Sequence, residues 1–194
     1  MAKTRKIIND PVFGFLSIPD GVLFQILQHP YMQRLNRIRQ LGLSFFVYPG
    51  AMHSRFLHSL GAMHLMHEAI GSLREKGVEI TDNEATASMA AILLHDVGHG
   101  PFSHVMEHTL VEGITHEEIS LMMMEKMRDE VAEQDRELLN LAIAIFKDEY
   151  PKHFLHQLIS SQLDVDRLDY LCRDSFFCGV TEGSVASARI LKMM

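Results

Sequence analysis

Residues 92–104 read Ile-Leu-Leu-His-Asp-Val-Gly-His-Gly-Pro-Phe-Ser-His, so three histidines and one aspartate follow directly on an apolar run. The apolar run at residues 89–94 predicts the buried end of a helix, which the following glycines and proline should stop. His95 and Asp96 therefore come at a last helical turn, where both side chains point toward one place. An imidazole beside a carboxylate suits a divalent first-row metal. The simpler alternative is a helix end whose histidine is favoured by the helix dipole.

The composition is that of an ordinary globular protein. Of its 194 residues, 47% are hydrophobic and 22% are charged, so we predict a single domain over residues 1–194. No apolar run reaches membrane-spanning length without a charged residue or a histidine. The two cysteines, Cys172 and Cys178, give no disulfide framework, which favours a reducing cytoplasm. The apolar, uncapped segment at residues 190–194 indicates that the natural protein continues beyond it or that the chain stops inside a helix.

The formal net charge of −7 is distributed unevenly. Residues 1–60 hold seven Lys or Arg and two Asp, a net charge of +5, whereas residues 61–194 carry a net charge of −12. A basic amino-terminal third can meet phosphates, but pairing with the acidic remainder is the simpler interpretation. Binding of nucleic acid is thus a weaker alternative, to be recognised by a steep salt dependence.

Hydrophobic periodicity predicts an all-α fold with a short extended amino-terminal arm. Residues 5–18 read as a hairpin or arm, and residues 41–50 as a loop or a brief strand. Three predicted helices are given by their first residues, which are Pro19-Asp20, Pro30 and Gly183. Another runs from a capping Asp82 to residue 94. The remaining predicted helices lie at residues 55–76, 103–111, 115–132, 135–148, 153–161 and 163–177.

Three further segments carry side chains of the types that bind metals, bind phosphates or transfer protons. Arg55 and His58 are three residues apart and share a helical face, although this spacing alone is weak. Residues 115–118 (Thr-His-Glu-Glu) fit a capping box, so His116 could simply begin a helix. Residues 163–174 hold four Asp and two Arg. An Asp and an Arg four residues apart in this segment could simply stabilise a helix.

Taken together, these motifs resemble those of the HD-domain metal-dependent phosphohydrolases. They are Arg-Phe-x-His-Ser-x-Gly (residues 55–61), Leu-x-His-Asp-x-Gly-His-Gly-Pro-Phe-Ser-His (93–104), His-Glu (116–117) and Asp-x-Asp-Arg-x-Asp-Tyr-x-x-Arg-Asp (164–174). The likeness is greatest to the branch of the deoxynucleoside triphosphate triphosphohydrolases and the SAM-and-HD-domain dNTPase. Residues 34–42 also look like this branch, and the resemblance spans roughly residues 5–185.

The resemblance implies an HD-domain helical bundle, a nucleotide substrate, a homo-oligomer and a role for each matching residue. The implied metal ligands are His58, His95, Asp96 and Asp166. The implied proton-transfer residues are His99, His116 and Glu107, where the branch usually has Asp at the last position. The implied contacts to phosphate or sugar are Arg55, Arg167, Tyr170 and Asp174.

Two imidazoles and two carboxylates form a nitrogen and oxygen site that is open to Mn, Fe, Mg, Ni, Co or Zn. The leading hypothesis is hydrolysis of a dNTP to a deoxynucleoside and triphosphate by metal-activated water. One alternative is hydrolysis of another phosphoester, such as a nucleoside monophosphate or a cyclic or alarmone nucleotide, since HD proteins share the metal site but differ in the pocket. Another is a non-catalytic regulatory module that binds nucleotide.

Overall fold

The structure is a computed structural model that describes residues 5–102, 113–181, 183 and 185–194. The amino-terminal arm is an antiparallel hairpin of β1 (Arg5–Asp10) and β2 (Gly14–Pro19), as predicted. The Asp10 carboxylate closes its turn by accepting the backbone N–H groups of Val12 and Phe13, both at 2.9 Å. The arm is therefore a defined element with its own turn.

The rest of the described chain is mainly helical, which confirms the predicted all-α fold with an extended arm. In chain order the helices are α1 (Val22–Gln28), α2 (Pro30–Arg34), α3 (Arg55–Glu75), α4 (Asp82–Leu94), α5 (His116–Glu130), α6 (Glu133–Phe146), α7 (Phe154–Gln157), α8 (Val165–Cys178) and α9 (Ser187–Met193). Two 3-10 turns, Leu35–Arg37 and Gly42–Phe46, join α2 to the segment before α3. The helix predicted at 103–111 lies outside the described residues.

The core is organised around α4. Residues 87–94 of this helix are all buried, and α4 packs against both α3 and α6. In turn, α8 packs on α3. A helix that is apolar on all sides must be enclosed by others, so its carboxyl end is held in the middle of the bundle. None of the described helices is long and apolar enough to cross a bilayer.

Three local predictions need correction. Thr81, rather than Asp82, is the N-cap of α4, because its hydroxyl accepts the Glu84 N–H and Glu84 accepts the Thr81 N–H in a capping box. Of the loop or brief strand predicted at residues 41–50, the strand is not formed, because residues 42–46 are a 3-10 turn with Gly42 at a φ of +54°. Within the helix predicted at 153–161, α-helical structure is confined to α7. The capping box at Thr115 and Glu118 is confirmed.

Glu84 ties α4 to the segment before α7, and its replacement gives a pH-dependent stability prediction. Burial opposes its charge, but hydrogen bonds from Tyr150, Thr81 and Lys152 outweigh burial and lower the pKa of Glu84 to about 2 from an ordinary 4.5. We expect Glu84→Gln to lower the free energy of unfolding at pH 7 by about 2 kcal/mol. A lowered carboxyl pKa stabilises the fold above pH 4.5, and this advantage is lost as the pH falls toward 2.

Urea unfolding of both proteins at pH 7 and at pH 3 measures this effect, with the exposed Glu125→Gln as the control for a lost charge. The gap between wild type and Glu84→Gln should narrow at the lower pH. A gap of the same size at both pH values would contradict the role given to the Glu84 charge.

Candidate metal centre

Three elements bring their side chains to one point beside the carboxyl end of α4. His58 lies in the second turn of α3, His95 is the C-cap of α4, and Asp166 lies in the first turn of α8. Their ligand atoms all lie within 4.8 Å of one another. Asp166 Oδ1 is 3.0 Å from His58 Nε2 and 3.4 Å from His95 Nε2, and the two Nε2 atoms are 3.4 Å apart. These are separations that one cation can bridge.

Asp96, the fourth predicted ligand, borders the same point. Its carboxylate oxygens lie 3.5 Å from His95 Nε2 and 3.8 Å from His58 Nε2. Asp96 also accepts a hydrogen bond from Arg55 Nη1 at 2.5 Å and faces His99 Nε2 at 3.1 Å. The structure thus places all four predicted ligands around one point, with Asp96 shared between this cluster and its neighbours.

Each of the two histidines has its other ring nitrogen held by an oxygen. His58 Nδ1 lies 2.7 Å from Asp169 Oδ2, and His95 Nδ1 lies 2.6 Å from the carbonyl oxygen of Ile92. An ionised carboxylate and a carbonyl can only accept, so both Nδ1 atoms carry the hydrogen. In the neutral form of each ring Nε2 then has the lone pair, which a cation would bind in place of a proton, and the ring orientations are fixed. The role of Asp169 was missed by sequence reasoning, which treated the i,i+4 pair that it forms with Arg173 as plain helix support.

A chain of buried charges extends from Asp169 to the amino-terminal arm. Arg173 donates two hydrogen bonds to Asp169, at 2.8 and 2.9 Å, and one at 2.8 Å to Asp10 Oδ2. All three side chains are fully buried. Gly61 of α3 faces this pair, and a Cβ there would collide with both Asp169 and Arg173. The arm therefore helps to position a predicted metal ligand through two intervening side chains.

The pKa values reflect this concentration of carboxylates. Burial alone would lower the pKa of His58, but hydrogen bonds to Asp166 and Asp169 raise it to about 10. The pKa of His95 is also raised, since Asp96 and Asp166 outweigh its burial. Against their burial, the nearby histidines lower the pKa of Asp166 and, together with Arg55, that of Asp96. The carboxylates are thus held in the charged form that favours a cation.

The predicted proton-transfer histidines lie on the far side of Asp96. The rings of His99 and His116 stack with centroids 3.9 Å apart, and both histidines form a second group with Asp96. Burial is the main cause that lowers the pKa of His99 to about 4, so its ring is neutral at pH 7. Ser120 links the two segments, accepting the Gly98 N–H and donating to the His95 carbonyl oxygen. Glu107 lies outside the described residues.

A cavity of about 500 Å³ opens beside these clusters. Three of the predicted substrate-binding residues, Arg55, Tyr170 and Asp174, line it. Arg167 does not, because its half-exposed guanidinium donates to the Ser161 carbonyl oxygen and to the Tyr170 hydroxyl. The remaining lining residues are Arg39, Gln40, Leu41, Gly42, Leu43, Ser44, Gly100 and Phe102, which sequence reasoning did not assign to the site.

Comparison with known proteins identifies the family. The HD domain family matches residues 55–174. A solved phosphohydrolase structure from Bacteroides thetaiotaomicron is 66% identical with a TM-score of 0.93, over 98% of this chain and 46% of that one. The uncharacterized protein YwfO of Bacillus subtilis is 34% identical, over 98% of this chain and 44% of its own length. The deoxynucleoside triphosphate triphosphohydrolase SAMHD1 of Homo sapiens is 33% identical, over 91% and 34%.

The chain therefore spans less than half the length of these relatives. The matched segment nevertheless covers most of the chain and includes His58, His95, Asp96 and Asp166. On this match and on the helical architecture around that cluster, the chain belongs to the HD-domain family.

Proposed function

We propose that this protein is a metal-dependent phosphohydrolase that cleaves a dNTP into a deoxynucleoside and triphosphate. The observation that carries the proposal is the convergence of His58, His95, Asp96 and Asp166 beside a cavity lined by Arg55. Two imidazoles and two carboxylates converge there from three separate helices, which is the donor set of a divalent metal site. Relatives that carry the name of dNTP triphosphohydrolase support the choice of substrate.

The donor set fits a divalent cation. Two imidazole nitrogens with fixed orientation and two charged carboxylates are ligands that Mn, Fe, Co, Ni and Zn accept, and Mg accepts the carboxylates. When bound, the cation would supply positive charge that activates water and offsets charge on the phosphate under attack. His58, His95 and Asp166 would hold it, with Asp96 as the fourth ligand.

We infer the orientation of the substrate in the cavity from the polar residues along α8. Asp166, Tyr170 and Asp174 are spaced four residues apart, so they follow one face of the helix over about 12 Å. Arg55, close to the cation end, can bind phosphate oxygens through its guanidinium. A phosphate near Asp174 would be repelled, whereas a sugar hydroxyl can donate to it. We therefore place the triphosphate at the Arg55 end and the nucleoside at the Asp174 end.

The stacked histidines are suited to proton movement to the leaving oxygen. His99 is neutral and hydrogen-bonded to Asp96, and the His116 ring stacks on it with its side chain 22% exposed. One imidazole of this pair would donate a proton to the leaving oxygen. Assembly into a homo-oligomer is part of the proposal, because the resemblance to the dNTP triphosphohydrolase branch implies it.

Identification of the products tests the proposal. The purified protein, loaded with Mn²⁺, is incubated with each dNTP, and the products are separated by anion exchange. We expect a deoxynucleoside and inorganic triphosphate, which requires cleavage between the sugar oxygen and the first phosphorus. Release of pyrophosphate or monophosphate would point to another phosphohydrolase reaction. No product from any dNTP, with any of the six metals, would overturn the proposed activity.

A further inference from the structure

His53 contacts Asp174, one of the residues that line the cavity, and has no part in the site described so far. Its side chain is fully buried, and its Nε2 atom lies 2.7 Å from Asp174 Oδ1. Because an ionised carboxylate can only accept, His53 Nε2 must carry the hydrogen and donate it. The His53 ring also stacks on Phe177, with centroids 4.7 Å apart and planes 24° apart. Two independent contacts therefore hold this ring against α8.

The backbone around His53 is fixed as firmly as its ring. Its carbonyl oxygen accepts the Gln40 N–H at 3.0 Å, and the Arg55 N–H donates to the Ile38 carbonyl at 2.9 Å. This short pairing joins the segment before α3 to the cavity wall that carries Gln40. On the other side, Gly50 packs so closely on α8 that a Cβ would collide with the Phe177 carbonyl oxygen. His53 thus sits at the junction of the cavity wall and the carboxyl half of α8.

The hydrogen bond from His53 leaves Asp174 with one oxygen to offer. Oδ1 is engaged by His53, while Oδ2 accepts no hydrogen bond from the residues that the structure describes. The Asp174 side chain is 24% exposed and lines the cavity, so it remains accessible to a ligand. A carboxylate held at one oxygen presents the other at a fixed angle, which favours a single hydroxyl donor over a phosphate.

We propose that His53 is a positioning residue, which fixes the Asp174 carboxylate so that Oδ2 accepts a hydroxyl group of the substrate sugar. This inference rests on the proposed function, because it places the nucleoside at the Asp174 end of the cavity. His53 itself touches no substrate. It acts by reducing the freedom of Asp174 before the ligand arrives, which raises affinity without new contacts to the ligand.

The test compares two replacements of His53. In His53→Phe, an aromatic ring of similar size can still stack on Phe177, but the N–H donor is lost. In His53→Gln, the amide N–H₂ can donate to Asp174 in place of Nε2. We expect His53→Phe to raise KM for dATP about tenfold with kcat nearly unchanged, and His53→Gln to recover most of that loss. The melting temperatures of both variants report any general damage to the fold.

A substrate without the hydroxyl separates positioning from a structural effect. With 2′,3′-dideoxy-ATP no 3′-hydroxyl can reach Asp174, so His53→Phe should bind it as wild type does. Equal losses for dATP and the dideoxy compound, or no loss for either, would overturn the inference. Calorimetric binding of both compounds gives the same comparison without turnover. If wild type binds dATP without hydrolysing it, the proposed function fails, while the His53 comparison still decides its own question.

Discussion

Asp166→Ala is expected to lose most of the bound cation and to lower kcat by at least about a hundredfold. Asp166 Oδ1 lies between the two Nε2 atoms of His58 and His95, so its removal takes away the group that neutralises their shared cation. Its side chain is 30% exposed and does not cap α8. The fold should therefore survive. Elemental analysis, Mn²⁺ titration and dNTP turnover measure the loss, and the melting temperature in chelator should fall by a few degrees, because the contacts of Asp166 with His58 and His95 are lost.

Asp164→Ala is the matched control from the same turn of chain. Asp164 is the N-cap of α8 and accepts the Ser161 and Arg167 N–H groups at 2.7 and 2.8 Å. Its loss should cost about 1 kcal/mol of stability and leave cation content largely intact. We therefore expect Asp166→Ala to lose bound cation, and Asp164→Ala to lose stability while it keeps the cation. An Asp166→Ala protein that still binds Mn²⁺ as wild type does would remove Asp166 from the site.

Arg173→Met should destabilise the fold by about 3 to 5 kcal/mol, because it leaves two buried carboxylates without their cation. Asp169 and Asp10 are fully buried and both accept hydrogen bonds from Arg173. For a chain of this length the melting temperature should fall by roughly 10 °C. Affinity for Mn²⁺ should also fall by about 10- to 100-fold, since Asp169 orients His58.

Two milder variants keep this prediction testable if Arg173→Met does not fold. Arg173→Lys retains the charge but loses the paired hydrogen bonds to Asp169. Asp10→Asn retains the acceptor for the hairpin turn but weakens the link to Arg173. Both should reduce Mn²⁺ affinity, by less than Arg173→Met. Wild-type Mn²⁺ affinity in all three proteins would show that the buried charges serve stability alone.

The local parts of this architecture could be predicted because their signals lie close together in sequence. The apolar run of α4 and the glycines after it predicted where His95 and Asp96 would lie, and the described helix ends at Leu94. The spacing of Arg55 and His58 likewise predicted that the two share a face of one helix, and both lie in the first turns of α3. The four ligands were grouped by family resemblance, however, since no single segment of chain shows which helices meet.

The partners that hold the ligands could not be read in the same way. The contact between Asp10 and Arg173 joins residues 163 positions apart, and that between His53 and Asp174 joins residues 121 apart. Asp169 and Arg173 have the spacing of an ordinary i,i+4 helix pair, which hides their second contacts. Such links depend on how the helices pack. Arg167, predicted as a substrate contact by the motif match, does not itself line the cavity, and its guanidinium donates to the Ser161 carbonyl oxygen and to the hydroxyl of the cavity-lining Tyr170.

The amino-terminal hairpin also limits how far this domain can be truncated. The family match begins at residue 55, yet the countercharge that completes the Arg173 cluster comes from residue 10. A fragment trimmed to the matched segment would discard the hairpin and leave a deeply enclosed guanidinium with one carboxylate instead of two. The smallest fragment that can hold the metal-site histidines in place is thus longer than the segment that the family match covers. A fragment made for expression should therefore begin before the first strand.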